Sequence, residues 1–356
     1  MDFVKLQTRS AIIKLIRRWF DERDFLEMHT PRLVGLPGQE PYLEPFWTRV
    51  RTANGIPHTA DASSNKDAVR GTRYDELPAA LITSPEYMMK RLLAEGFDRI
   101  YDLGPCFRNE EPWDGTHDPE FLLLEWYRRD SGLEDLMRDT EDLIRFVASS
   151  LPSTTYNLPP SPFRRLTVEE AWREYAGIEL ASLLEDREAM ARACREHDQS
   201  VSDDDTWDDL YFKIFLSEIE PHLGWSESTR YAVRGTPAPT FLYRYPASMA
   251  ALARKSSDNP RWADRVELYI GDLELANGFA ELSDPEEQHR RFEEEQELRR
   301  SQGKKTWPID EKFISALPKM GDAAGIAFGV DRFVMLLTGS SSINDILPAS
   351  ARERFS

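Results

Sequence analysis

The sequence predicts an α+β protein, a mostly antiparallel sheet flanked by helices. Strand-like runs at 99–107 and 119–128 are joined by a polar loop. Runs at 265–270 and 273–279 form a hairpin around Gly271-Asp272. Helical stretches are mixed among these antiparallel strands, the pattern of an α+β fold. The chain has 356 residues, room for one large domain or two. We read it as one domain, residues 1–356, with a long loop at 50–79 and a helical insertion at about 166–225.

Each element has a local reason. Residues 3–23 read as an amphipathic helix, because Leu6, Ile13, Leu15, Ile16, Trp19 and Phe20 fall near helical spacing with basic residues between. Phe25-Leu26-Glu27-Met28 looks extended and runs into Pro31, which is tolerated best at a strand end or edge. Residues 50–79 are rich in Asn, Gly, Ser, Asp and Lys and read as a mobile loop. A short strand at 81–83 leads into a helix that Thr83 or Ser84 caps, with Pro85 and Glu86 in its first turn and Gly96 at its end. Residues 132–150 are helical, and Thr167 with Glu170 forms a capping box. Further helices are expected near 186–197, 206–220 and 284–301, with a strand at 240–245. A short apolar strand at 324–328 feeds a helix over 329–337.

Composition excludes several classes. The net charge is −18, so the global field repels a polyanion and argues against a broad tRNA-binding face. No apolar run approaches a membrane span, and the N-terminus lacks a secretory pattern. The two cysteines, Cys106 and Cys194, have no metal-binding or disulfide-framework spacing. A cytoplasmic location is the expectation.

Three elements carry chemistry. The first is Phe107-Arg108-Asn109-Glu110, a loop, then His117-Asp118-Pro119-Glu120-Phe121. An arginine fork can hold a phosphate and a carboxylate, and an aromatic ring can stack on a base. Taken singly, Arg108 with Glu110 could be a surface ion pair and Phe121 a core residue. The second is Gly325-Ile-Ala-Phe-Gly329-Val-Asp-Arg332, a strand-to-helix turn where backbone can approach a ligand and the helix start favours an anion. The third is the hairpin from Glu267 to Glu281. A two-residue turn pairs Tyr269 with Glu274 and Glu267 with Ala276, so Glu267 and Glu274 lie diagonally on one face. Two such carboxylates suit Mg²⁺ bridging a nucleotide phosphate, although a solvated acidic face is the competing explanation. Strict alternation would send Asn277 and Glu281 to the opposite face, so a bulge is expected near Asn277-Gly278.

In this order the elements resemble the three signature motifs of class II aminoacyl-tRNA synthetases. Asp24 to Pro31 looks like motif 1, Phe107-Arg108-x-Glu110 with His117-xxx-Phe121 like motif 2, and Gly325-x-Ala-x-Gly329-xx-Arg332 like motif 3. Thr83-Ser-Pro-Glu-Tyr-Met-Met-Lys-Arg-Leu92, Leu124-Glu-Trp-Tyr127 and Glu274-Leu-Ala-Asn-Gly-Phe-Ala-Glu-Leu282 resemble the lysyl branch. The chain is most similar to the short, free-standing ligases that modify elongation factor P. Too few residues precede motif 1 for the anticodon-reading OB-fold of a lysyl-tRNA synthetase, so no N-terminal OB-fold is expected.

The resemblance implies a class II catalytic core that uses ATP and Mg²⁺. A lysine-like amino acid would be activated as an adenylate and passed to a lysine of elongation factor P. Another protein, a small amine or tRNA remains the alternative acceptor. By the same resemblance, Arg108 and Arg332 are catalytic. Arg108, Asn109, Glu110, Asp118, Phe121, Glu274, Leu275, Gly329 and Arg332 would bind ATP, and Glu267 with Glu274 would ligate the metal. Ser84, Pro85, Glu86, Tyr127, Asn277, Phe279 and Glu281 would form the amino-acid pocket. α-Lysine, (R)-β-lysine and other diamino acids all fit such a pocket. A homodimer through motif 1 around Pro31 is also implied. Asp118 and the Trp113 loop depart from the family pattern, as does Ala327 from the tRNA-charging enzymes.

Overall fold

The computed structural model describes residues 2–52, 75–151, 158–159, 162–226 and 237–356. Its centre is an eight-stranded sheet in the order β1-β5-β6-β11-β10-β9-β8-β7. These strands are β1 (Leu26–Met28), β5 (Arg99–Phe107), β6 (Glu120–Arg129), β7 (Arg164–Thr167), β8 (Thr240–Pro246), β9 (Trp262–Ile270), β10 (Leu273–Ala280) and β11 (Ala323–Gly329). The outer pairs β1–β5 and β7–β8 are parallel, and every pairing between them is antiparallel. A small sheet in the order β2-β4-β3 combines β2 (Leu33–Val34), β3 (Trp47–Thr52) and β4 (Asp75–Leu81). The α+β expectation therefore holds.

Helix α1 (Phe3–Asp21) starts where the Asp2 carboxylate accepts from the Val4 and Lys5 amides. Its Ile12, Ile16, Trp19 and Phe20 are fully buried, and Phe20 stacks on Tyr101 of β5 at 4.3 Å. Together with α3 (Leu133–Ser150) and α9 (Val330–Thr338) it covers one sheet face and closes the main core. Helices α2 (Glu86–Ala94), α7 (Pro285–Ser301) and α8 (Glu311–Met320) pack around Tyr87, Phe292 and Phe313. The capping box at Thr167 and Glu170 forms as predicted and opens the four-residue α4 (Val168–Ala171). With α5 (Arg187–Glu196) and α6 (Trp207–Ile214), α4 buries a separate aromatic cluster against β8 and β9.

Several boundaries differ from the sequence expectation. Residues 50–52 and 75–79 of the expected loop are paired strand in β3 and β4; residues 53–74 lie outside the described residues. Helix α8 has Pro318 inside it, a residue that conceals a helix from pattern reading. The bulge in the hairpin falls at Leu275, between Glu274 and Ala276, and not at Asn277-Gly278. Tyr269 pairs with Glu274 as expected, but Glu267 faces Asn277 and not Ala276. With the extra residue two positions earlier, Asn277 comes onto the Glu267 face as the expected bulge required, while Glu281 is buried against Lys90. Among the described residues no helix is long and apolar enough to cross a membrane.

Candidate active site

A cavity of about 480 Å³ opens on the β6-β11-β10-β9 face of the sheet. Ser84, Glu86, Arg108, Asp118 and Phe121 line it from one side. Glu267, Glu274, Leu275, Asn277, Phe279, Gly329 and Arg332 line it from the other. These residues come from distant parts of the chain, and the strand register brings them together. Alternate residues Phe121, Leu123 and Glu125 of β6 share a face, so Phe121 and Glu125 stand about 13 Å apart along the strand.

One end of the cavity is cationic. The Arg108 guanidinium lies 4.9 Å over the Phe121 ring, which holds it in the cavity wall by a cation–π contact. Its Nε is buried without a hydrogen-bond partner, and among the described residues no carboxylate lies within ion-pair distance of it. Arg332 is fixed differently: Nη1 donates to the Glu274 carbonyl at 2.9 Å, and Nη2 lies 3.0 Å from His117 Nε2. Beside them, Gly329 would accept a methyl without strain, because an added Cβ would meet its nearest neighbours at 3.7 Å. The fold itself does not require glycine there, so the open space beside it is available to a ligand.

The neighbouring carboxylates suit a cation. Burial and the charge of Glu267 push Glu274 up to about 7, against the pull of Arg332. Glu267 is more committed than the sequence suggested. Arg265 pairs with its Oε1, while the Tyr245 and Tyr269 hydroxyls both donate to Oε2, the latter at 2.6 Å. The pair thus fits a nucleotide-bound Mg²⁺ through Glu274 first. Among the described residues no group of three or more His, Cys, Asp or Glu side chains forms a metal cage.

The opposite end is anionic and buried. Lys90 Nζ lies 2.5 Å from Glu86 Oε1 and 2.6 Å from Glu281 Oε2, at angles outside hydrogen-bond geometry. Glu125 accepts from Ser84 Oγ at 2.7 Å and from the Tyr127 hydroxyl at 2.9 Å. Two carboxylates therefore flank one ammonium, and the third, Glu125, is close enough for its charge to act on Glu281 and to feel that of Glu86. Burial, and then the charge of Glu86, push Glu125 up to about 8. Burial raises Glu281 as well, with Lys90 opposing and Glu86 adding to the rise. Burial disfavours the charge on Lys90, but Glu281 and Glu86 together outweigh it, so its affinity for the proton is raised. Gly325 makes this cluster possible: a Cβ there would lie 2.1 Å from the Tyr127 ring and 2.6 Å from Glu281 Oε1.

Some predicted residues stand elsewhere. Tyr127 and Glu281 are buried below the cavity wall, Tyr127 bonded to the wall residue Glu125 and Glu281 linked through the buried Lys90 to the wall residue Glu86. Pro85 lines a second cavity, of about 550 Å³, that shares Ser84 and Glu40 with the first. Glu110 is exposed at a positive φ of 62° and does not line the cavity, whereas Glu111 does. The Asn109 amide, expected near adenine, donates to the Glu44 carbonyl at 2.7 Å. Sequence reasoning gave Glu125 no role although it sits inside the Leu124–Tyr127 motif. It also missed Glu40, Arg265 and the wall formed by Tyr211, Phe212 and Leu216 of the helical insertion. No local pattern marks those residues as cavity-facing; sheet register and insertion packing decide it.

The family model described as tRNA synthetases class II (D, K and N) matches residues 4–350. The chain is 36% identical over 345 residues to the elongation factor P–(R)-β-lysine ligase of Proteus mirabilis, covering 96% of this chain and 93% of that one. It is 36% identical over 348 residues to the protein of the same name from Photorhabdus laumondii, covering 97% and 94%. A Yersinia enterocolitica protein of that name is also 36% identical, over 343 residues, covering 96% and 93%. With the family model matching nearly the whole length and relatives 36% identical across it, the chain belongs to the class II tRNA synthetase family of the D, K and N group.

Proposed function

We propose that the protein activates a lysine-type amino acid with ATP and transfers it to a lysine side chain of elongation factor P. The single observation that carries the substrate class is the charge layout of the cavity. Arg108, with no carboxylate partner among the described residues, offers a cation at one end, and Glu86 and Glu125 line the other, with Glu281 and Lys90 buried behind them. An amino acid with a carboxylate at one end and an extra ammonium at the other completes both. A neutral side chain would leave the buried carboxylates unpaired, which is the basis of discrimination.

The carboxylate oxygen of the amino acid attacks the α-phosphorus of ATP. A bond forms between them, the bond to the bridging oxygen breaks, and pyrophosphate leaves. Arg108 holds the carboxylate and α-phosphate together and offsets the charge that develops on the phosphoryl oxygens. Arg332, fixed through Glu274 and His117, holds the outer phosphate. Mg²⁺, when bound at Glu274 and Glu267, would neutralise phosphate charge. Leu275 and Gly329 would border the nucleotide, and Asn277 and Phe279 the alkyl chain. The acceptor amine then attacks the acyl carbon, an amide bond forms, and AMP leaves. The exposed Leu26 and Leu33, on edge strands either side of Pro31, support a homodimer through that surface.

Purified protein should carry out lysine- or (R)-β-lysine-dependent ATP–pyrophosphate exchange and label elongation factor P. Labelled tRNA alongside unmodified elongation factor P would reject this acceptor. Proton linkage offers an independent check. Glu125 has an ordinary value near 4.5 and about 8 in the fold, so between these values the native state binds more protons than the unfolded chain. Its contribution therefore favours folding at low pH and is lost as pH rises from about 4.5 to about 8. A bound ammonium restores the ionised form, so lysine binding at pH 7 should release up to about one proton. Calorimetry in buffers of different ionisation enthalpy measures it, and Glu125→Gln should reduce the release. A binding enthalpy independent of buffer would contradict the assignment.

A further inference from the structure

The loop joining β5 to β6 carries Arg108, His117 and Asp118 on its cavity side. Its outer side is held by the last residues of the chain. Arg354, in helix α10 (Ala351–Phe355), pairs through Nη2 with Asp118 Oδ1 and reaches Glu120 Oε2 at 3.5 Å. Asp118 is only 2% exposed, and the same Oδ1 accepts from the Glu120 amide at 3.0 Å. The Trp113 and Phe355 rings stack at 6.0 Å with 25° between planes. Arg352 Nη2 donates to the Trp113 carbonyl at 3.4 Å, and the Ile343 amide donates to the Gly115 carbonyl at 2.6 Å.

The two features of this loop that depart from the family pattern, Asp118 and Trp113, are thus the two that contact the C-terminal helix. Neither Arg354 nor Phe355 lines the cavity. We propose that α10 positions the nucleotide-facing loop, with Asp118 and Arg354 as the positioning pair. This rests on the reading that the cavity takes ATP. Asp118 then acts on the nucleotide through the loop: its carboxylate is directed to Arg354, and the charge it adds beside the site is offset there. His117, the adjacent residue, is kept against Arg332 by the same anchoring, and Asp114 braces its other nitrogen at 3.1 Å.

The test compares the full-length protein with Arg354→Gln, Arg354→Lys and Asp118→Asn. Steady-state ATP–pyrophosphate exchange gives KM and kcat. Amide hydrogen exchange of the 109–118 segment, without substrates, gives loop mobility. Arg354→Gln should raise KM for ATP about 10-fold and leave kcat and KM for the amino acid within about 2-fold. Amide exchange in 109–118 should rise about 10-fold, with β5 and β6 unaffected. Arg354→Lys should recover part of both effects. In the Asp118→Asn background, Arg354→Gln should add less than about 2-fold, because the partner is already gone. Unchanged KM and unchanged amide exchange in Arg354→Gln would overturn the proposal. So would a parallel change in both KM values and kcat with a lowered melting temperature, the signature of a purely structural contact. If the unaltered protein shows no exchange with any diamino acid, the functional reading falls, and amide exchange still decides whether α10 holds the loop.

Discussion

Arg108→Ala should lower amino-acid-dependent ATP–pyrophosphate exchange by about 10³-fold, the scale of removing a preorganised charge donor from a reacting centre. The guanidinium is set over the Phe121 ring and has no carboxylate partner among the described residues, so its donors are available to substrate. Its backbone amide donates to the Pro119 carbonyl at 3.1 Å, and alanine keeps that bond. The melting temperature and far-ultraviolet circular dichroism should therefore change little. Arg108→Lys should recover only part of the activity, because an ammonium lacks the planar fork that spans carboxylate and phosphate together. Full exchange activity in the alanine variant would remove Arg108, and with it the nucleotide end of the site, from the mechanism.

The second large effect is on stability. Lys90→Met removes the ammonium that Glu86 and Glu281 share and leaves those buried carboxylates unpaired. Loss of one partner of a buried ion pair costs about 3–5 kcal/mol, more than the pair contributes relative to an apolar replacement, because the remaining charge is stranded. The loss should depend on pH. Glu281 already has raised proton affinity, which Lys90 opposes, so without Lys90 it would take up a proton more readily still. The native variant would then bind more protons than the unfolded chain across a wider range, so its stability should fall more steeply as pH rises above about 4.5. Urea unfolding of both proteins at pH 6 and pH 8 measures this. A difference in stability that is small and equal at the two pH values would show that Lys90 does not neutralise the cluster.

The two ends of the site place different demands on the fold. The arginine end is built from strand ends, the β5–β6 loop and the start of α9, where Arg108 has no carboxylate partner among the described residues. The acidic end is built from the middle of β6, the end of β10 and the first turns of α2, where neighbours exclude water. Burying such a cluster costs stability, and under the proposed function a bound ammonium would relieve it, so that the cost of burial becomes selectivity for a diamino acid.

Much of the fold was legible because its signals are local. The α1 stripe from Leu6 to Phe20, the Thr167–Glu170 capping box and the Gly271-Asp272 turn each depend on residues within a few positions of one another. The small sheet was less legible, since β3 and β4 pair across a long connection and neither has a strong period of its own. The bulge was expected for the right reason and placed two residues late, because side-chain alternation tells that one extra residue is needed and not where the backbone admits it.

By itself the sequence determined the α+β class, the family resemblance and the main charged residues of the cavity, from Arg108 to Arg332. These follow from residue type and order along the chain, which is where motifs are written. Only the tertiary structure decided that Glu86 and Glu281 share Lys90 with Glu125 held nearby by Ser84, that Arg265 and two tyrosines engage Glu267, and that Asp118 meets Arg354 from the far end of the chain. Those relations depend on strand register and on packing between segments as much as 236 residues apart, and no periodicity along the chain encodes which distant charges will share a buried space.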